Sequence, residues 1–261
     1  MKALRIGLYC VLGGLPLTIS AAGAGHFGWW WLSGVVLAAA FVPLALFGPR
    51  HFLALWGVAF LPLWVAGSVG TMWEAAIFLP GQKALVVRDI AGAFVLYAIF
   101  TLVLALLAKS LKLTRPSDSE PELRPAAIVA AMVVLSGFAY VVYYLIFGGI
   151  TYTFFTKQYY PGVQAVAESL GLRLWLIELA RGVMMTLALL PAIYSLRMPR
   201  WAAAISIGVL LWIVGGGSQL LVPNLLMVPA QRYIHIVEIL TQNAGLGITA
   251  VLLMRRADST H

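Results

Sequence analysis

Residues 89–109, DIAGAFVLYAIFTLVLALLAK, carry no charge between Asp89 and Lys109. A helix needs about 20 mainly apolar residues to cross a hydrocarbon layer of about 30 Å, and this stretch has that length. Its two ends, an acid and a lysine, stand where the chain would re-enter water. Seven more runs of the same kind appear on either side. Spans are expected at approximately 4–23, 28–47, 51–69, 89–109, 125–148, 171–194, 201–221 and 232–254. Between them stand breakers such as Gly48-Pro49-Arg50, Pro80-Gly81-Gln82, Pro161-Gly162, Met198-Pro199-Arg200 and Pro223-Asn224. Each span must be helical, because an isolated strand leaves its backbone groups unpaired in hydrocarbon. The expected fold class is all-α: a polytopic integral membrane bundle of about eight transmembrane helices.

Composition agrees. Of 261 residues, 62% are hydrophobic and 10% charged, and the mean hydropathy is +0.96. A soluble domain carries about 25% charged residues, so most of this surface is expected to face lipid. The formal charge of +8 does not point to nucleic acid, because the basic residues stop apolar runs instead of forming a stripe. Cys10, the single cysteine, rules out an internal disulfide or a cysteine metal site and reads as a small buried apolar residue. The run after Met1-Lys2-Ala3-Leu4-Arg5 exceeds the 7–15 residues of a signal core and is expected to remain as a first span.

Lysine and arginine set the orientation. With the N-terminus in the cytoplasm and eight crossings, the cytoplasmic side receives Lys2, Arg5, Arg50, Lys109, Lys112, Arg115, Arg124, Arg197, Arg200, Arg255 and Arg256. The opposite side receives Lys83, Arg88, Lys157, Arg173 and Arg232, and Arg181 falls inside a span. Both termini are therefore expected in the cytoplasm, and a bacterial inner membrane is the expected location. The polar, proline-rich stretch 112–124 (KLTRPSDSEPELR) divides the chain into halves, 1–111 and 125–256, with a tail at 257–261. The longest exoplasmic segment, about 149–170, holds Tyr152, Phe154, Phe155, Tyr159 and Tyr160, which read as interfacial aromatics, as do Trp29, Trp30 and Trp31.

The halves share a pattern. Pro49-Arg50 is followed by Pro80-x-Gln82-Lys83 and then Asp89; Pro199-Arg200 is followed by Pro229-x-Gln231-Arg232 and then Glu238. Four helices return the chain to its starting side, so a duplication would be a 4+4 parallel repeat, an arrangement known among transporters. Recurrence of prolines and basic residues at membrane boundaries is the plainer explanation.

Ionisable groups inside spans are candidates for function because they are expensive to insert. Span six offers Glu178 and Arg181, three residues apart on one helical face, and span eight offers Arg232, His235, Glu238, Gln242 and Asn243. Both sets enter from the exoplasmic side. If the two spans are neighbours, the groups meet in one cavity, to which Trp73, Glu74, Arg88 and Asp89 add from the first half. The plainer reading is helix-to-helix polar glue.

Three functions follow. The favoured one is a small transporter or permease-like protein binding protons or an anionic or amphiphilic small molecule, with Glu178, Arg181, Arg232, Gln242, Asn243, Arg88, Asp89 and Glu74 as the binding set. The second is a membrane enzyme acting on a lipid, with His235 as acid or base and Glu238 orienting it. The third is a non-catalytic subunit docking a partner helix; the sequence leaves a homo-oligomer or partner subunit open. Membrane lipids are the expected partners, nucleic acid is not, and no cofactor is expected. His235-x-x-Glu238 supplies at most two metal ligands where a catalytic zinc takes three. Gly215-Gly216-Gly217 lacks the Lys-Ser/Thr of a phosphate loop and reads as close packing or a helix break.

Overall fold

The computed structural model describes residues 2–21, 25–78, 83–115, 121, 124–160, 162–224 and 227–256. These form helices and no strand among the described residues. Among the described residues eight helices are long and apolar enough to cross a membrane: Lys2–Ser20, Phe27–Phe47, Phe52–Trp73, Val86–Ser110, Ala126–Tyr159, Leu172–Ser195, Arg200–Gly217 and Pro229–Met254. They are spans one to eight below. Large apolar side chains face outward along them, among them Ile19, Leu106, Leu176, Ile205 and Val237. Such an exterior suits lipid and not water, in line with a multi-pass membrane protein.

Span one packs on spans two and four, and span three on span four; span five packs on spans six and eight, and span seven on span eight. The halves meet where spans two and three lie against spans six and seven. Lipid offers no hydrophobic drive between helices, so close backbone approach has to hold them. Three pairs cross at glycines. A Cβ on Gly34 of span two would sit 2.7 Å from the Gly14 Cα of span one. One on Gly182 of span six would meet the Gly137 Cα of span five at 3.1 Å, and one on Gly247 of span eight would meet the Gly208 Cα of span seven at 2.8 Å. Spans three and four use aromatics instead. Trp56, Phe60 and Trp64 stack along span three, and Phe94 meets Phe60 and Trp64 edge-on with centroids 5.1 Å apart. The indoles of Trp56 and Trp64 donate to the Ala98 and Ile90 carbonyls of span four at 3.0 and 3.3 Å.

Two spans differ from the sequence expectation. Span five was expected to end near 148 but runs on to Tyr159 through two π-helical turns, Tyr144–Gly148 and Tyr152–Thr156. At 1.5 Å per residue its 34 residues make about 50 Å, longer than a hydrocarbon core. Nothing between Gly149 and Tyr159 stops the helix; Tyr160, the residue before Pro161 in the sequence, leaves it at φ −125 and ψ 65. Span seven was expected to reach 221 but ends at Gly217, because Gly216 takes φ +138, which only glycine adopts without strain.

The basic end of the bundle is tied by the backbone. The last turn of span two leaves carbonyls free, and they accept from the linker and from the second half: the Arg115 N–H bonds Leu46 O at 2.8 Å, and the Arg197 N–H bonds Phe47 O at 2.8 Å. Buried Arg255 donates to Leu196 O and Met198 O at 3.2 and 2.8 Å, and Arg200 donates to Leu252 O. Most of linker 112–124 and all of tail 257–261 lie outside the described residues, as does Pro80-x-Gln82 of the repeated pattern.

Candidate functional site

Among the described residues five π-helical turns interrupt the spans, at Val65–Val69, Tyr144–Gly148, Tyr152–Thr156, Ile213–Gly217 and Leu240–Ala244. Each shifts the backbone register by one residue and detaches a carbonyl that hydrocarbon cannot satisfy. Side chains fill that need. Gln219 Nε2 donates to Gly67 O at 3.0 Å and to the Tyr97 hydroxyl oxygen at 2.8 Å, and Asn243 Nδ2 donates to Gly215 O at 3.4 Å. The Trp212 indole donates to Ile236 O at 3.0 Å, a carbonyl just before the span-eight turn that also accepts the Leu240 N–H. The turns of spans three and seven press together between the halves, where a Cβ on Gly67 would lie 2.6 Å from Val214 O.

Around these turns lie two groups of ionisable side chains. The first is on span six. Glu178 is 0% exposed and Arg181 6%, and Arg181 Nη1 donates to Glu178 Oε2 at 3.4 Å. The guanidinium lies 5.7 Å from the centroid of the Tyr140 ring of span five, a cation–π contact. Span three approaches from the other side, where a Cβ on Gly70 would come 4.0 Å from Arg181 Nε. The pair is thus buried among spans three, five and six.

The second group joins span eight to the outer end of span five. His235 Nδ1 lies 2.8 Å from Glu238 Oε2, and the Tyr160 hydroxyl bonds His235 Nε2. Gln242 Nε2 donates to Glu238 Oε1 at 3.2 Å. With Nε2 accepting from the tyrosine, the imidazole proton sits on Nδ1, 2.8 Å from Glu238 Oε2 but out of line with it, since that oxygen accepts no hydrogen bond. The helix dictates half of this: His235 to Glu238 and Glu238 to Gln242 are steps of three and four residues, one turn each. The other half depends on Gly148, where a Cβ would lie 3.1 Å from Gln242 Nε2, so span five comes close enough to pass over this face. His235 and Glu238 keep 19% and 14% of their side-chain surface exposed, which leaves the group in reach of water.

The sequence-nominated residues divide accordingly. Glu178 and Arg181 form one group and His235, Glu238 and Gln242 the other, with the outer part of span five packed against both. Arg232 is turned to the short 3₁₀ turn Gln219–Leu221, donating to Leu220 O and Leu221 O at 3.3 Å, and Asn243 holds the span-seven carbonyl. Arg88 and Asp89 are exposed on the outside of span four. The Glu74 side chain lies outside what is described. Tyr160, Tyr140 and Gln219 complete the groups; the sequence offered no local spacing to tie them in, since each reaches its partner across the bundle. No group of three metal-ligating side chains occurs among the described residues. Comparison with known protein families, curated proteins and solved structures finds no match to this chain.

Proposed function

We propose that the chain is a small permease-like membrane protein in which Tyr160, His235, Glu238 and Gln242 handle protons at the exoplasmic side, with a proton or a small anionic molecule as the transported species. The carrying observation is the succession hydroxyl, imidazole, carboxylate: the Tyr160 hydroxyl bonds His235 Nε2, and His235 Nδ1 stands 2.8 Å from Glu238 Oε2, a buried oxygen that accepts no hydrogen bond as it stands. An imidazole between a hydroxyl and a carboxylate accepts a proton on one nitrogen while releasing the proton of the other. Glu238 lies about 13 Å along the helix from Pro229, inside the expected outer boundary. Unwound backbone at Gly216 and the π turns beside it support the same reading, because irregular backbone at membrane depth is tolerated where it borders protein or a watery cavity. The reading includes the orientation with both termini in the cytoplasm, and the 4+4 repeat. For the repeat, the support is a common pairing order, first with second, third with fourth and first with fourth, and a π turn in the third helix of each half.

Purified protein in liposomes loaded with a pH-sensitive dye tests this. Under an imposed potential, wild type is expected to pass protons, and Glu238→Gln and His235→Ala to slow them by roughly 100-fold, the usual worth of a positioned acid–base group. Absence of flux in wild type, or equal flux in Glu238→Gln, sinks the proposal.

A second reading has one observation of its own. The Glu238 carboxylate stands 2.8 Å from His235 Nδ1, where a general base has its orienting partner, and that suits an enzyme acting on a lipid or other amphiphile from the outer leaflet. It predicts that cells carrying His235→Ala accumulate an amphiphile absent from wild type; identical lipid profiles remove this reading.

A further inference from the structure

A cavity of about 260 Å³ lies at the basic end of the bundle, between the start of span three and the end of span four. Its lining divides by chemistry. Arg50, Lys109 and Lys112 supply three cations and Thr114 a hydroxyl, while Phe52, Leu55 and two alanines of span four form an apolar wall. The three cationic residues are exposed. Among the described residues the acidic side chains are Asp89, Glu168, Glu178 and Glu238, all at the other end of the molecule, so none of them offsets this charge.

The backbone adds two independent observations. Span four stops with Leu113 N–H on Ala108 O at 3.0 Å and Lys112 N–H on Lys109 O at 3.1 Å, a helix stop whose left-handed position normally belongs to glycine. Lys112 occupies it at φ +52. A lysine held in a conformation that glycine adopts freely marks a position where the side chain is kept for use, and this one borders the cavity. Span three begins beside the same cavity at Phe52, and His51 before it provides no side-chain cap. The first N–H groups of that helix, its positive end, therefore add to the cationic field.

We propose that this cavity holds the phosphate head group of an anionic phospholipid. Arg50, Lys109 and Lys112 pair with the phosphate oxygens, Thr114 donates to one of them, and an acyl chain runs along the Phe52–Leu55 wall. Three converging cations select a net negative head group over a zwitterionic one. The apolar wall favours an esterified phosphate with a hydrocarbon tail over free phosphate. The site lies at the opposite end of the bundle from the Tyr160–His235–Glu238 group and stands or falls separately from it.

The test uses the full chain in detergent micelles, titrated with dioleoylphosphatidylglycerol, dioleoylphosphatidylcholine or glycerol phosphate, and followed by native mass spectrometry and thermal shift. Phosphatidylglycerol is expected to bind at least about tenfold more tightly than phosphatidylcholine, and R50A/K109A/K112A to lose that preference. Lys112→Gly keeps the experiment decisive if the triple variant fails to fold. It removes one cation and the strained φ together, so it is expected to melt higher than wild type without lipid and yet bind phosphatidylglycerol several-fold more weakly. Equal binding of the two lipids by wild type, or wild-type binding by R50A/K109A/K112A, overturns the proposal. Glycerol phosphate binding as tightly as phosphatidylglycerol overturns the lipid occupant and leaves a soluble phosphate ester in its place.

Discussion

Arg181→Met is expected to lower unfolding free energy by about 3–5 kcal/mol, because it leaves the Glu178 carboxylate charged and buried after its cation is gone. Glu178 has no exposed surface, so water cannot replace the lost partner. Methionine retains the bulk of the arginine stem against Tyr140, so little of the loss comes from packing. The double variant Glu178→Leu/Arg181→Met is expected to regain at least half of the lost stability, since removing both charges also removes the cost of burying them. Thermal and denaturant unfolding in micelles, followed by tryptophan emission, measures both. A loss below about 1 kcal/mol in Arg181→Met is what a solvated pair would give, and it would refute the buried geometry.

Gly34→Ile is expected to be comparably damaging for a different reason. A Cβ at Gly34 would lie 2.7 Å from both the Cα and the carbonyl oxygen of Gly14, and backbone cannot rotate aside as a side chain does. Spans one and two must separate along their length, with a cost of about 3 kcal/mol or more. Gly92→Ala on span four is the matched control, because nothing lies within 4 Å of its added Cβ. It is expected to be neutral or to stabilise by up to about 1 kcal/mol through helix propensity. If both variants melt alike, the glycine crossing is not what holds these spans.

The eight spans were legible because hydrocarbon imposes a length and forbids charge, and both constraints are visible in residues such as Asp89 and Lys109 around their apolar run. All eight starting points fall within three residues of expectation; span three, beginning at Phe52, is one residue off. What failed was the end of span five, expected near 148 in front of Gly149. Two glycines weaken a helix but do not stop it when packed neighbours supply the stabilisation, and here Gly148 is retained because span eight passes close by. The π turns left no mark in the apolar periodicity, since they change register by one residue within runs that are apolar on all sides.

The candidate site was legible wherever one helix turn brings partners together. Glu178 with Arg181, and His235 with Glu238 and Gln242, follow from steps of three and four. Tyr160 is 75 residues from His235 in sequence and was read only as an interfacial aromatic. Arg88 and Asp89 were grouped with the others by depth alone, and the rotation of span four turns them outward. Depth in the membrane is written in the sequence; the direction each helix presents to its neighbours is decided by packing.

The clasp on the end of span two bears on how such a chain is made and how it arose. Phe47 O receives its partner from Arg197, a residue synthesised 150 positions later, and Leu46 O waits for Arg115. During synthesis the second helix is therefore complete long before its last turn is closed, and the nascent first half carries an open end until two of the four spans of the second have been made. If an ancestral gene encoded one half alone, that half needed a second copy to close the same turn. Fusion would then have joined two units that already depended on each other, rather than two that had been independent.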